Sequence, residues 1–119
     1  MSQPQPTDIV LHQGTRVLEV AFDDGQRFEL SCEYLRVHSP SAEVQGHGPD
    51  QRVLQTGKRD VNITGIDPVG HYAVRLVFDD GHDTGLYTWQ KLHDLGTNQA
   101  RYWQEYLDEL EAAGASRTP

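Results

Sequence analysis

The chain has 119 residues, enough for one domain with a modest core and no disulfide or metal staples. Apolar residues make up 36% and the formal net charge is −8, so a folded protein is expected, and nucleic acid and acidic membrane surfaces, which need a basic field, are excluded as partners. A single cysteine, Cys32, no apolar run near the ~20 residues of a membrane span, and a start, "MSQPQPTD", without the marks of a signal peptide together predict a cytoplasmic protein with no disulfide and no multi-cysteine zinc site.

Residues 1–8, rich in Pro and Gln, read as a disordered tail and residues 114–119 as a second one, leaving a single domain over 9–113. "RVLEVAF" (16–22) alternates, with Val17, Val20 and Phe22 competing for the inner face, and "RFEL" (27–30) returns after "DDG". Asp24-Gly25 predicts a two-residue type I′ turn, with positive φ at both central residues. Ser31 then caps a short helix over "CEYLRVH". From His38 to Asp60 the chain is poor in apolar residues and reads as one long loop, the kind that in a compact domain is functional or mobile.

"VNITGID" (61–67) is β-branched and predicts a strand, "PVG" (68–70) a turn, and "HYAVRLVF" (71–78) a strand with Tyr72, Val74, Leu76 and Phe78 on one face. Asp80-Gly81 turns the chain again and "DTGLY" (83–87) returns. Thr88 caps a helix over "WQKLHDL", which Gly96 ends in the left-handed conformation. Thr97 caps the last helix, 98–113, where Trp103, Tyr106, Leu107 and Leu110 form one apolar stripe. This order predicts an α+β fold, an antiparallel sheet built from hairpins with short helices and a C-terminal helix packed on it.

The second hairpin resembles a site, with Asp79, Asp80, His82 and Asp83 in five residues. A shift of 56 places, however, sets Phe22, Asp23, Asp24 and Gly25 on Phe78, Asp79, Asp80 and Gly81, and one more residue sets Leu35 on Leu92. Turn geometry therefore accounts for both acidic pairs, whether the copies are an internal repeat or independent uses of the same turn chemistry. His82 replaces Gln26 and is the residue left over. With Asp83 or His38 it offers imidazole and carboxylate to a divalent metal, iron or zinc. His47, in the loop, is expected in solvent; His71 and His93 are expected to be surface or hydrogen-bonding residues. Cys32, opening a helix beside a sheet, reads as a packing residue before a nucleophile, although a helix N-terminus lowers a thiol pKa. Glu105, Asp108, Glu109 and Glu111 read as a solvated face or, alternatively, as a surface for a basic protein. No nucleophile elbow, P-loop, dinucleotide fingerprint or zinc-protease motif is present.

Three blocks, "EYLRVHSPSAEV", "GKRDVNITGIDPVGHYAVRLVFDDGHDTGLYTW" and "LHDLG…YWQEYLDEL", resemble a bacterial domain-of-unknown-function family (DUF971-like) that is similar to the N-terminal domain of gamma-butyrobetaine and trimethyllysine hydroxylases. The resemblance covers roughly residues 9 to 112. A related domain ends some P-loop iron–sulfur scaffold proteins of chloroplasts. In the hydroxylases this is an accessory β-rich module and the oxygenase chemistry lies in a separate domain, so the resemblance implies no hydroxylase activity here. The hydroxylase module holds a structural zinc with three cysteines and a histidine. By this resemblance the cysteine positions fall on Ser39, Ser41 and Val44 and the histidine on His82, so that zinc site is expected to be absent, with His82 instead hydrogen-bonding across to the "RVHSPS" loop.

The expected function is a non-catalytic accessory or interaction domain, linked to iron or iron–sulfur protein assembly, with a protein partner, no nucleic acid, no membrane and no cofactor. Arg36, His38, Lys58 and Arg59 form its candidate interaction loop. The alternatives are a protein binding iron, zinc or another divalent ion through His82, and a small enzyme using His82 with Asp83 or Cys32.

Overall fold

The structure, a computed structural model, describes residues 3–46 and 51–119. Its elements are β1 (Pro6–His12), β2 (Val17–Phe22), β3 (Arg27–Ser31), α1 (Cys32–Val37), α2 (Ala42–Gln45), β4 (Ile63–Val69), β5 (Ala73–Phe78), β6 (Leu86–Thr88), α3 (Trp89–Thr97) and α4 (Gln99–Ala113). The fold is α+β. Its strands divide into two antiparallel three-stranded sheets, β1-β2-β3 and β4-β5-β6. Their inner faces share one core, in which Leu18, Val20 and Leu30 of the first sheet meet Ile63, Leu76 and Phe78 of the second, with Leu35, Leu92 and Leu95 supplied by the helices. The stripe of α4 closes a second cluster through Tyr106, Leu110 and Val37. Among the described residues no helix is long and apolar enough to cross a membrane.

The duplication extends well beyond the hairpins. β1 and β4 are both seven residues long and 57 places apart, β2 and β5 are both six residues long and 56 apart, and the helix caps Ser31 and Thr88 are again 57 apart. Each first strand also slips register near its start, between Pro6 and Asp8 and between Ile63 and Gly65. The described residues thus form a β-β-β-α unit written twice, with α2 between the copies and α4 after them.

Several expectations change. β1 begins at Pro6, so part of the expected N-terminal tail is strand, pairing Asp8 with Ala21 through His12 with Val17. Leu18, with Val20 and Phe22, takes the inner face of β2, and Val17 stays half-exposed. β4 runs on through Pro68 to Val69, where the proline sits in an edge strand with no ladder donor to lose. Tyr72 falls in the turn and is exposed, unlike Val74, Leu76 and Phe78. The expected 38–60 loop contains α2, capped by Ser41 accepting from the Glu43 N–H at 3.2 Å; His47 lies outside the described residues. The C-terminal segment is docked rather than frayed. Gly57 and Arg59 donate backbone N–H groups to Ser116 and Arg117, and Arg117 grips the buried Glu33 with two bonds of 2.7 and 2.8 Å.

The largest correction concerns Gly96. It has no positive φ and does not end α3, which continues to Thr97; Asn98, not Thr97, precedes α4, without a side-chain cap bond. The glycine serves packing instead, because a Cβ there would run into the ring of Phe28. Gly96→Ala should therefore lower stability by about 1–3 kcal/mol through overpacking, whereas Gly14→Ala, with nothing within 4 Å of its added carbon, should stay within about 0.5 kcal/mol of the parent. Urea denaturation of the two variants measures the contrast.

Candidate functional site

The acidic hairpins are the place to start. In both, the three-residue connection is closed by a backbone bond from the glycine to the phenylalanine, Gly25 to Phe22 at 3.1 Å and Gly81 to Phe78 at 3.2 Å. Positive φ occurs at Gly25 (87°) and Gly81 (91°) but not at Asp24 or Asp80. The predicted type I′ turn is therefore replaced by a turn that ends on a left-handed glycine, the bulged form common in longer hairpin loops.

Each aspartate has a structural task that recurs in both copies. The first of each pair pins the entry to its sheet: Asp23 exchanges backbone and side-chain bonds with Gln5 at 2.9 and 3.1 Å, and Asp79 does so with Asn62 at 2.9 and 3.0 Å. The second accepts the N–H two residues on, Gln26 to Asp24 at 2.9 Å and His82 to Asp80 at 3.1 Å. Its other oxygen then reaches the helix of the opposite copy. Asp24 meets His93 Nε2 of α3 at 2.8 Å, and Asp80 meets Arg36 Nε of α1 at 2.8 Å. His93 is also edge-on to Phe22 and Phe28.

Asp80 is the more heavily used. Lys58 Nζ joins it at 2.7 Å, and although burial works against its ionisation, the bonds from Lys58, the His82 N–H and Arg36 hold its pKa down to about 2. Arg36 is buried, and its Nη1 has no partner among the described residues. Of the candidate interaction loop, then, Arg36 and Lys58 turn inward onto Asp80, His38 is half-buried, and Arg59 is exposed.

His82 lies beside this pair and is buried. Its Nδ1 faces the Glu43 carboxylate at 3.0 Å, and a carboxylate can only accept, so Nδ1 carries the proton. Nε2 then accepts from the Ser39 hydroxyl at 2.8 Å, and Ser39 Oγ in turn accepts the Ser41 N–H at 3.2 Å. Ser41 Oγ meets Thr84 Oγ1 at 2.6 Å, and Val44 is buried alongside. The hairpin and the 39–44 segment are thus joined by side-chain hydrogen bonds at the positions where the resemblance places metal ligands. Burial, followed by the Arg36 charge, lowers the His82 pKa, in keeping with a neutral ring.

Serine, histidine and carboxylate in this order form the relay of a nucleophilic hydrolase. Access decides against that use. Ser39 is fully buried, and Gly85 lies so close that a Cβ there would sit 2.5 Å from Oγ. The metal alternative meets a similar obstacle, since both His82 nitrogens are engaged. Asp83 pairs with Arg75 at 3.4 Å, and His38 points its Nδ1 to the Tyr34 carbonyl at 2.9 Å, so neither joins His82. Among the described residues no group of three or more His, Cys, Asp or Glu could hold a metal ion. Cys32 is fully buried near Asn62, and burial pushes its thiol pKa up rather than down. Sequence reasoning passed over Glu43, which lay in the expected 38–60 loop, and Arg117, which it left in a tail.

The comparisons with known proteins agree with this architecture. A family model described as gamma-butyrobetaine hydroxylase-like, N-terminal, matches residues 9–93. Two solution NMR structures are similar along nearly the whole chain. One is 48% identical with a TM-score of 0.86, covering 99% of this chain and 93% of its own. The other is 58% identical with a TM-score of 0.85, covering 99% and 88%. A crystal structure of a protein of unknown function of the DUF971 family, from Acidithiobacillus ferrooxidans, is 41% identical with a TM-score of 0.68, covering 80% of this chain and 98% of its own. No curated protein matches.

Asp80→Asn should cost about 3 kcal/mol, since it strands a buried guanidinium, and Asp24→Asn, with its more exposed histidine partner, clearly less. His82→Ala should cost about 1–3 kcal/mol by leaving the Ser39 hydroxyl unpaired. Because folding lowers the pKa of His82, the unfolded chain takes up the extra proton. That contribution is complete above the unfolded value of about 6.5 and is lost as pH falls below it. The melting temperature should decline below that pH, with a shallower slope in His82→Ala.

Proposed function

The chain belongs to the gamma-butyrobetaine hydroxylase-like N-terminal family, and on that premise we propose that it is a non-catalytic accessory module that works by engaging another protein, one concerned with iron or iron–sulfur assembly. One observation carries the first part: every member of the one catalytic-looking constellation, Ser39, His82 and Glu43, is bonded to another member, with serine and histidine buried. A domain whose most reactive-looking side chains hold its own segments together has a structural use for them. The iron link is supported by the family resemblance alone. A metal-binding function through His82 finds no support in the geometry, as both ring nitrogens have protein partners.

The reading is tested by purifying the chain, without a histidine tag, from its own cells under stringent washing. The expected result is one stoichiometric partner that carries iron, with metal in the isolated chain substoichiometric and unchanged in His82→Ala. Stoichiometric metal lost in that variant would establish the metal-binding alternative instead. Turnover in a hydrolase or oxygenase screen would end the non-catalytic reading.

A further inference from the structure

The segment after α4 lies on the domain in the manner of a bound peptide. Ala115 and Arg117 are half-buried while Ser116, Thr118 and Pro119 are exposed, the alternation of an extended chain. The backbone N–H groups of Gly57 and Arg59, themselves two residues apart, donate to the Ser116 and Arg117 carbonyls at 2.9 and 3.0 Å. Ala115 packs on the cluster of Val37, Tyr106 and Leu110. Peptides that add to a host in this way gain affinity from main-chain bonds and specificity from pockets for alternate side chains.

The pocket for Arg117 is the selective one. Glu33 is 6% exposed, and the guanidinium takes both its oxygens, Nε on Oε2 at 2.8 Å and Nη2 on Oε1 at 2.7 Å. Arg117 Cζ also lies over the Trp103 ring, 5.1 Å from its centroid. A forked carboxylate beside an aromatic face suits arginine and not lysine, whose ammonium makes neither the parallel pair nor the planar stack. Without a guanidinium the buried carboxylate is left uncompensated, so whatever occupies the pocket has to supply one. On the helix leading into the tail, Asp108 and Glu111 are exposed and have no ion pair among the described residues, and they draw a basic segment toward it.

The tail leaves part of the groove open: a cleft of about 470 Å³ remains beside Arg117, walled by Tyr34, Ala100 and Trp103. We propose that this groove is where the domain engages its partner, and that the occupant is an extended segment carrying an arginine, with a small residue two places before it, which displaces the C-terminal tail. Residues 115–119 then act as an internal stand-in that covers the site in the free protein. The partner segment has to prevail over a competitor held at high local concentration, and filling the open cleft gives it contact that the tail does not make. The proposal rests on the accessory reading for the existence of a partner, but the groove itself can be tested without one.

The probe is the chain's own tail as an acetylated hexapeptide, Gly-Ala-Ser-Arg-Thr-Pro, titrated into isotope-labelled full-length protein and followed by NMR at the Gly57 and Arg59 amides and the Trp103 indole. Arg117→Ala, which empties the pocket, should give saturable shifts at all three, with an affinity at least about tenfold above that of the parent, whose tethered tail competes. A peptide with lysine in place of arginine should bind this variant at least about tenfold more weakly. Arg117→Lys, which keeps the charge without the fork, should also bind the arginine peptide more tightly than the parent does, and it decides the matter if Arg117→Ala loses its dispersed spectrum. Shifts that fail to saturate in a dispersed variant overturn the proposal, as do equal affinities for the arginine and lysine peptides or for variant and parent. Each of these results leaves the accessory reading standing, since that reading falls on the purification experiment and not on the peptide.

Discussion

The carboxylate of Asp80 has to satisfy three donors at once. One oxygen accepts the His82 N–H that closes the second hairpin, and the other takes Arg36 and Lys58. Arg36 is buried, and a guanidinium there is tolerated only against a fixed counter-charge. With Arg36 in place, the C-terminal end of α1 is anchored over the second hairpin. The next residues then follow in sequence: His38 onto the Tyr102 ring, Ser39 onto His82, Ser41 onto Thr84. The tether thus descends from one turn aspartate.

Much of this was legible in the sequence because it is local. Turn glycines, the Ser31 and Thr88 caps and the alternation of β5 depend on residues a few places apart, and the comparison of the two hairpins assigned the aspartates to turns, where Asp24 and Asp80 each accept the N–H two residues on. The same locality misled at Gly96. Nothing near it in sequence reveals that Phe28 lies against it, so a glycine close to a helix end read as a terminator. β1 was hidden by its Pro/Gln-rich approach, and its partner β2 shows the need for it only in three dimensions. Glu33 and Arg117 pair across 84 residues, a separation over which no periodicity gives a signal.

The constellation at His82 shows how little side-chain order says about activity by itself. Its hydrogen bonds run in the direction that would activate a serine, and they would suit a hydrolase if Oγ opened onto solvent. Buried behind Gly85, the same bonds instead join two segments that are far apart in the chain. Cysteine ligands and a metal would do this with greater strength. Hydroxyls and an imidazole do it with bonds that depend on pH rather than on metal supply, and they attach the hairpin to α2 through its cap Ser41 and through Glu43.

The crossed arrangement of the two copies has a further consequence. The turn aspartate of the first hairpin holds the helix of the second copy, and that of the second holds the helix of the first; the Tyr34 hydroxyl on the Leu95 carbonyl and the Tyr87 hydroxyl on the Leu35 carbonyl, both at 2.6 Å, tie the copies together again. Neither copy is complete without the other, yet nothing in these contacts specifies that both belong to one molecule. Two chains could satisfy all of them by trading copies. What favours the monomer is the tether between residues 38 and 62, which keeps a chain's own second half at a local concentration far above that of any neighbour's. The length of that segment, as much as any contact, sets the balance between a closed monomer and an exchanged dimer.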